Sequence, residues 1–172
     1  MQPELEKFIL PPYVSGFYKD GGRTAEKVPF GLFSESCKKL ADESDFTLVK
    51  AYDFSGQPNR SYHLAAFTGK LNLLAMCNKY YPIVAFSVIE SPSTNFDFNI
   101  SMPKNEYLDG AEMAPFFSEH FTVLDKAYLA ITVDADNPSD AKVVSRLSDN
   151  EFAEFAYWEP KVVADIVFNN WG

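Results

Sequence analysis

The chain has 172 residues, a length that suits one domain with a continuous buried core. Hydrophobic residues make up 47% of it and aromatic residues 16%, which excludes an intrinsically disordered chain. The formal net charge of −9 disfavours nucleic acid and anionic membrane surfaces as partners.

The first two thirds of the chain predict alternating helices and strands. Residues 34–43 follow serine caps and predict a short helix. Residues 45–52 and 61–67 have the alternation of strands. Residues 70–80 carry apolar side chains on most sides of a helical wheel and predict a buried helix. Residues 83–89 are the most strand-like in the chain and predict a central strand.

Residues 96–167 predict two strands and three helices. Residues 96–101 alternate strictly and predict a strand paired with the preceding one. Asp109 begins a capping pattern for a short helix, and residues 127–133 predict another strand. Ser148 and Glu151 form a capping box for a helix, and Pro160 suits the start of a second helix over 162–167. The β-branched residues of that second segment are the argument for a strand as the alternative.

These elements predict one α+β domain over residues 1–172. We expect a mostly antiparallel sheet of about 4–6 strands, packed with helices and closed by a C-terminal helical pair. The sequence has no run of about 18 apolar residues, so no membrane span is expected, and residues 1–7 do not resemble a signal peptide. A cytoplasmic location is therefore expected, with Cys37 and Cys77 as reduced, buried thiols.

Motifs for catalysis are scarce. The only histidines, His63 and His120, have no G-x-S-x-G serine or activated cysteine near them in the sequence. No glycine-rich phosphate loop is present. The acids of residues 134–140 differ from a calcium loop, which has glycine where Ser139 stands and a bidentate acid where Ser145 stands, so a solvated turn is expected. The residues favour a binding protein over an enzyme, with no cofactor and no metal.

Charge is unevenly distributed along the chain. Residues 1–99 hold ten Lys or Arg against eleven Asp or Glu, whereas residues 100–172 hold five against thirteen. Acids that steer a partner and aromatics that anchor it are typical of a protein interface. The predicted partner-binding residues are Asp134, Asp136, Asp140, Asp149, Glu151, Glu154, Tyr157 and Glu159. The alternative is an ordinary amphipathic helix with Phe152 and Phe155 inside.

The tail from Tyr157 to Trp171 contains Trp-x-Pro, an apolar run and Phe-Asn-x-Trp. It resembles the tail of small bacterial immunity proteins of polymorphic or contact-dependent toxin systems. That resemblance implies a protein that binds and occludes a cognate toxin domain, often a nuclease with a basic cleft. It also implies that Trp158, Phe168 and Trp171 are packing residues.

We therefore expect an acidic toxin inhibitor, monomeric or weakly dimeric, whose partner is a cognate toxin protein and not nucleic acid or membrane. Two alternatives stay open. One is an enzyme or small-ligand protein with an aromatic-lined pocket, and the other is a structural or assembly protein.

Overall fold

The computed structural model describes residues 8–19, 22–89, 106–134 and 136–171. The strands within these residues are β1 (Phe17–Lys19), β2 (Gly22–Arg23), β3 (Thr47–Tyr52), β4 (Tyr62–Thr68), β5 (Leu73–Asn78), β6 (Ile83–Val88) and β7 (Thr122–Val123). The α-helices are α1 (Phe30–Glu43), α2 (Lys126–Leu129), α3 (Asp149–Trp158) and α4 (Val163–Val167). Across the described part of the chain, none of the helices has the length and hydropathy needed to cross a bilayer.

The main sheet has five strands in the order β3-β4-β5-β6-β7. Its first three pairings are antiparallel, and β6 and β7 run parallel. β1 and β2 form a separate two-stranded ribbon. The predicted α+β class, the mostly antiparallel sheet and the C-terminal helical pair are confirmed.

The sheet is covered on both faces. Alternate residues of β4 point to opposite sides, so Leu64 lies in one apolar cluster and Phe67 in the other. The N-terminal segment and helices α2 to α4 cover the first face, and α1 with a short 3₁₀ turn (Ala114–Phe116) covers the second. Every residue of β5 is buried, as expected for the middle strand of a two-sided sheet.

Residues 70–80 do not form the predicted helix, because Leu73–Asn78 is strand β5. A short segment that is apolar on every side has the same composition whether it becomes a buried helix or a central strand. Pairing with β4 and β6 decides the outcome: Ala75 lies opposite both Ala65 and Phe86.

The predicted strand over residues 127–133 is also wrong. The chain forms helix α2 there, because the Asp125 carboxylate caps it by accepting from the Tyr128 amide at 2.8 Å. Only Thr132 makes a bridge, to Val162.

Asp109 does not cap an α-helix. Gly110 follows it with φ of 74°, and the chain passes through turns into the 3₁₀ turn instead. A left-handed residue directly after the predicted cap prevents the helix from starting there. The strand predicted over residues 96–101 lies outside the described residues.

Other predicted elements are present with small shifts. Helix α1 begins at Phe30, four residues before the predicted start, and strands β3, β4 and β6 occupy the predicted positions. Helix α3 has the predicted capping box of Ser148 and Glu151. Cys37 and Cys77 are free and buried.

Candidate protein-binding face

Helix α3 carries half of the predicted partner-binding residues. Asp149 at its start and Tyr157 near its end are exposed, Tyr157 at 77%. Glu154 is half-buried, and its carboxylate accepts from the Trp158 indole at 3.1 Å. Glu159 is exposed at the C-terminal cap. At 1.5 Å per residue these groups extend over about 15 Å along one helix.

The loop of residues 134–140 supplies three more exposed acids, Asp134, Asp136 and Asp140. Asp134 accepts from the Asp136 amide at 2.9 Å, which lowers its pKa and keeps it ionised. This is the solvated turn that the sequence predicts.

The start of the loop lies beside the C-terminal end of helix α3. The Val133 amide donates to the Lys161 carbonyl at 2.9 Å, so the loop leaves the core beside the C-terminal end of α3. The chain then returns to the first residue of α3, Asp149, so residues 134–148 link the two ends of this helix. We call Asp134, Asp136, Asp140, Asp149, Glu154, Tyr157 and Glu159 the acidic face.

Glu151 is not part of an exposed face, in contrast to the prediction. Its side chain is fully buried. One carboxylate oxygen accepts from the Tyr13 amide at 2.5 Å and from the Ser148 amide at 3.0 Å. The other accepts from the amide and hydroxyl of Ser15 at 3.1 and 2.5 Å. Glu151 therefore fixes the N-terminal segment to α3 and supports the face from behind.

The tail forms a groove next to the acidic face. Trp158 is half-buried, and its ring stacks on Trp171 at 6.0 Å between centroids and 5° between planes. A cavity of about 320 Å³ opens here. We call it the tail groove; it is lined by Trp158, Glu159, Pro160, Asp165, Phe168, Asn169, Asn170 and Trp171. Phe168 and Trp171 are buried, which confirms their predicted packing role.

Two polar side chains, the half-buried Arg23 and the buried Asn169, hold the tail in place, and no sequence motif indicates this role. The Arg23 guanidinium donates to the Trp171 carbonyl at 2.7 Å and to the Asn169 side-chain oxygen at 3.1 Å. The Asn169 amide group donates to the carbonyls of Ser15 and Ile166 at 2.9 and 2.8 Å. Apart from the contact to Ile166, these hydrogen bonds join residues far apart in sequence, so no local pattern reveals them.

A second polar cluster lies at the start of β4 and just after the end of β5. His63 is buried, and its Nδ1 accepts from the Phe54 amide at 3.0 Å, which leaves the proton on Nε2. Burial lowers the His63 pKa to about 4. Lys79 is also buried, donates to the Gln57 carbonyl at 2.9 Å, and has its pKa lowered by burial to about 8. Both side chains bond to residues 54–57, so the cluster anchors that loop.

The chain matches no protein-family model, no curated protein and no solved structure. The resemblance of residues 157–171 to immunity proteins therefore stays a prediction.

Proposed function

We propose that this protein is an immunity-type inhibitor that binds a basic toxin domain through the acidic face and occludes its active site. The observation that carries the proposal is the exposure of six carboxylates of the acidic face, wholly or in part, on two connected segments. Nuclease-type toxins have cationic substrate clefts, to which an acidic protein surface is complementary.

Charge on this part of the surface is mostly of one sign. The exposed bases of residues 134–161 are Lys142, Arg146 and Lys161. Exposed carboxylates act over about 10 Å at 0.1 M ionic strength, so neighbouring acids add to one field at the distance of an approaching protein. Such a field raises the association rate with a cationic partner by about 10–1000-fold.

The face has a rigid support. Glu151 ties α3 to the N-terminal segment, and the stacked Trp158 and Trp171 tie its end to the tail. A preorganised surface loses less conformational entropy on binding than a flexible one, which favours tight inhibition.

The test begins with the partner. The tagged protein is expressed in its native host, co-purifying proteins are identified by mass spectrometry, and each is produced alone. We expect a basic protein whose enzymatic activity or toxicity is abolished by an equimolar amount of inhibitor. A partner that is acidic, or whose activity is unchanged in the complex, contradicts the proposal.

Charge reversal then locates the interface. Asp136, Asp140 and Asp149 change together to Lys, and we expect at least a tenfold loss of inhibition. The matched control reverses Glu35, Asp42 and Glu43, three exposed acids on α1, and alters net charge equally. Equal losses in the two triple variants would show that net charge, and not this face, governs binding. Thermal melts verify that both variants fold.

A further inference from the structure

The tail groove combines aromatic surface with negative charge. The stacked pair Trp158 and Trp171 forms one wall, and these are the only two tryptophans in the chain. Glu159 is exposed in the lining, and Asp165 is half-buried there. Aromatic rings beside carboxylates are the surroundings that recognise an organic cation.

None of the lining residues of this groove is basic. The Arg23 guanidinium, which contacts two of the lining residues, is directed at the carbonyls of Ser15 and Trp171 and at the Asn169 side chain. It supports the tail from the buried side and does not neutralise Glu159 by a direct ion pair. Among the described residues, no ion pair involves Glu159 or Asp165, so their charge can reach a ligand.

The lining acids differ in how they are held. Both amides of Lys161 and Val162 donate to one Asp165 oxygen, at 2.9 and 3.1 Å, so this carboxylate is fixed in place. Glu159 has φ of 50°, a left-handed conformation at a helix C-terminus that ordinarily favours glycine or asparagine. The position thus presents a carboxylate at the groove where backbone preference favours a smaller residue.

We propose that the tail groove binds an arginine side chain of the partner protein, with the guanidinium against the exposed part of the Trp158 ring and paired to Glu159. This inference rests on the proposed function, because it names the group that anchors the basic partner beside the acidic face. Arginine fits better than lysine, since its planar guanidinium stacks on an aromatic ring and pairs with a carboxylate at once.

The first test uses a blocked tripeptide, acetyl-Gly-Arg-Gly-amide, titrated into the whole protein. Tryptophan emission reports on the groove directly because both tryptophans line it. We expect a saturable change with a Kd on the order of 1–10 mM, as is typical of a single side-chain ligand. The norleucine tripeptide, which lacks the charge, should give no saturable change. No saturation with the arginine peptide, or equal responses to both, overturns the proposal.

The matched variants are Glu159→Asn and Asp42→Asn, the second at an exposed acid of helix α1. Asparagine tolerates the left-handed backbone at position 159, so the first variant removes the charge and keeps the fold. It should weaken arginine-peptide binding by about fivefold or more, since the ion pair is lost. Asp42 does not line the groove and lies outside the acidic face, so its variant should bind as the unaltered protein does. Unchanged affinity in Glu159→Asn overturns the proposal.

The two proposals fail in different ways. With the purified partner, Glu159→Asn should raise the dissociation rate by about fivefold or more and leave the association rate nearly unchanged. If reversal of Asp136, Asp140 and Asp149 slows association while Glu159→Asn leaves dissociation unchanged, the groove inference is wrong and the inhibitor function stands. If the arginine peptide binds but the triple reversal has no effect on the partner, the groove stands and the proposed face is wrong.

Discussion

Glu151 allows the support of the acidic face to be tested by two substitutions with different expected costs. Glu151→Gln keeps the side-chain shape, and glutamine serves in a capping box as glutamate does, so the Ser148 cap survives. The glutamine NH2 group then replaces one carboxylate oxygen, so the backbone N–H of Tyr13 or Ser15 faces a donor instead of an acceptor. Glu151→Ala removes every acceptor.

The magnitudes follow from the hydrogen bonds lost. Bonds to a charged group contribute about 1.5–3 kcal/mol each, and an unsatisfied buried donor costs about 1–3 kcal/mol. We expect Glu151→Gln to lower the free energy of unfolding by about 2–4 kcal/mol. Glu151→Ala leaves the backbone amides of Tyr13, Ser15 and Ser148 without the Glu151 acceptor, and we expect the free energy of unfolding to fall by about 3–5 kcal/mol.

The assay is urea unfolding followed by circular dichroism, with the m-value checked for each variant. Glu154→Gln is the control on the same helix, and a partly exposed acid there contributes about 0.5 kcal/mol. If Glu151→Ala costs no more than the Glu154 control, Glu151 does not hold the N-terminal segment to α3 and the reasoning is refuted.

Three further predictions concern the buried polar groups and the ribbon. Because the His63 pKa is lowered to about 4, only the unfolded chain protonates this histidine as the pH falls from 6.5, so about 2–3 kcal/mol of stability is lost by pH 4. The His63→Gln variant should not show that loss when urea midpoints are measured at pH 7 and 4.5. Equal shifts of the midpoint in the variant and the unaltered protein would contradict this prediction. Gly16 has φ of 92°, and an added Cβ would lie 2.5 Å from the Tyr80 ring, so Gly16→Ala should destabilise the protein by about 2 kcal/mol or more. Gly31 has open space around it in helix α1, so Gly31→Ala should stabilise the protein by about 0.5 kcal/mol. Thermal melts in which Gly16→Ala is the more stable of the two variants would contradict this prediction. Asn78 donates to the carbonyls of Val14 and Val167 and accepts from the Tyr80 and Tyr81 amides; Asn78→Asp loses both donors and should cost about 3 kcal/mol by urea unfolding, whereas a cost below about 1 kcal/mol would contradict this role.

Elements marked by a local sequence pattern are predicted well, whereas elements set by long-range strand pairing are not. The capping box of α3 is a pattern within four residues, and the structure has it at the predicted position. The helix predicted where strand β5 lies is wrong. The burial of β5 on both faces depends on its pairing with β4 and β6, and no local periodicity reveals that pairing. The strand predicted where helix α2 forms is wrong because the β-branched residues after the helix, Ile131, Thr132 and Val133, outweigh the short capping signal of Asp125.

The candidate site divides in the same way. Exposed acids of the loop and of α3 can be recognised from composition, because charged residues favour solvent. Glu151 is the exception: its place three residues after Ser148 predicts a cap, but not that Tyr13 and Ser15 would enclose it. The tail groove depends on the packing of Trp158 against Trp171, which only the folded chain brings about.

The central claim is that a localised acidic face steers this protein onto a basic partner. The most direct measurement is the association rate of the purified pair, by stopped flow, at ionic strengths from about 0.05 to 0.5 M. We predict a steep decline with salt that is reduced when Asp136, Asp140 and Asp149 become Lys, and retained when Glu35, Asp42 and Glu43 do. A rate that is independent of salt, or an identical salt dependence in the two triple variants, would contradict the claim.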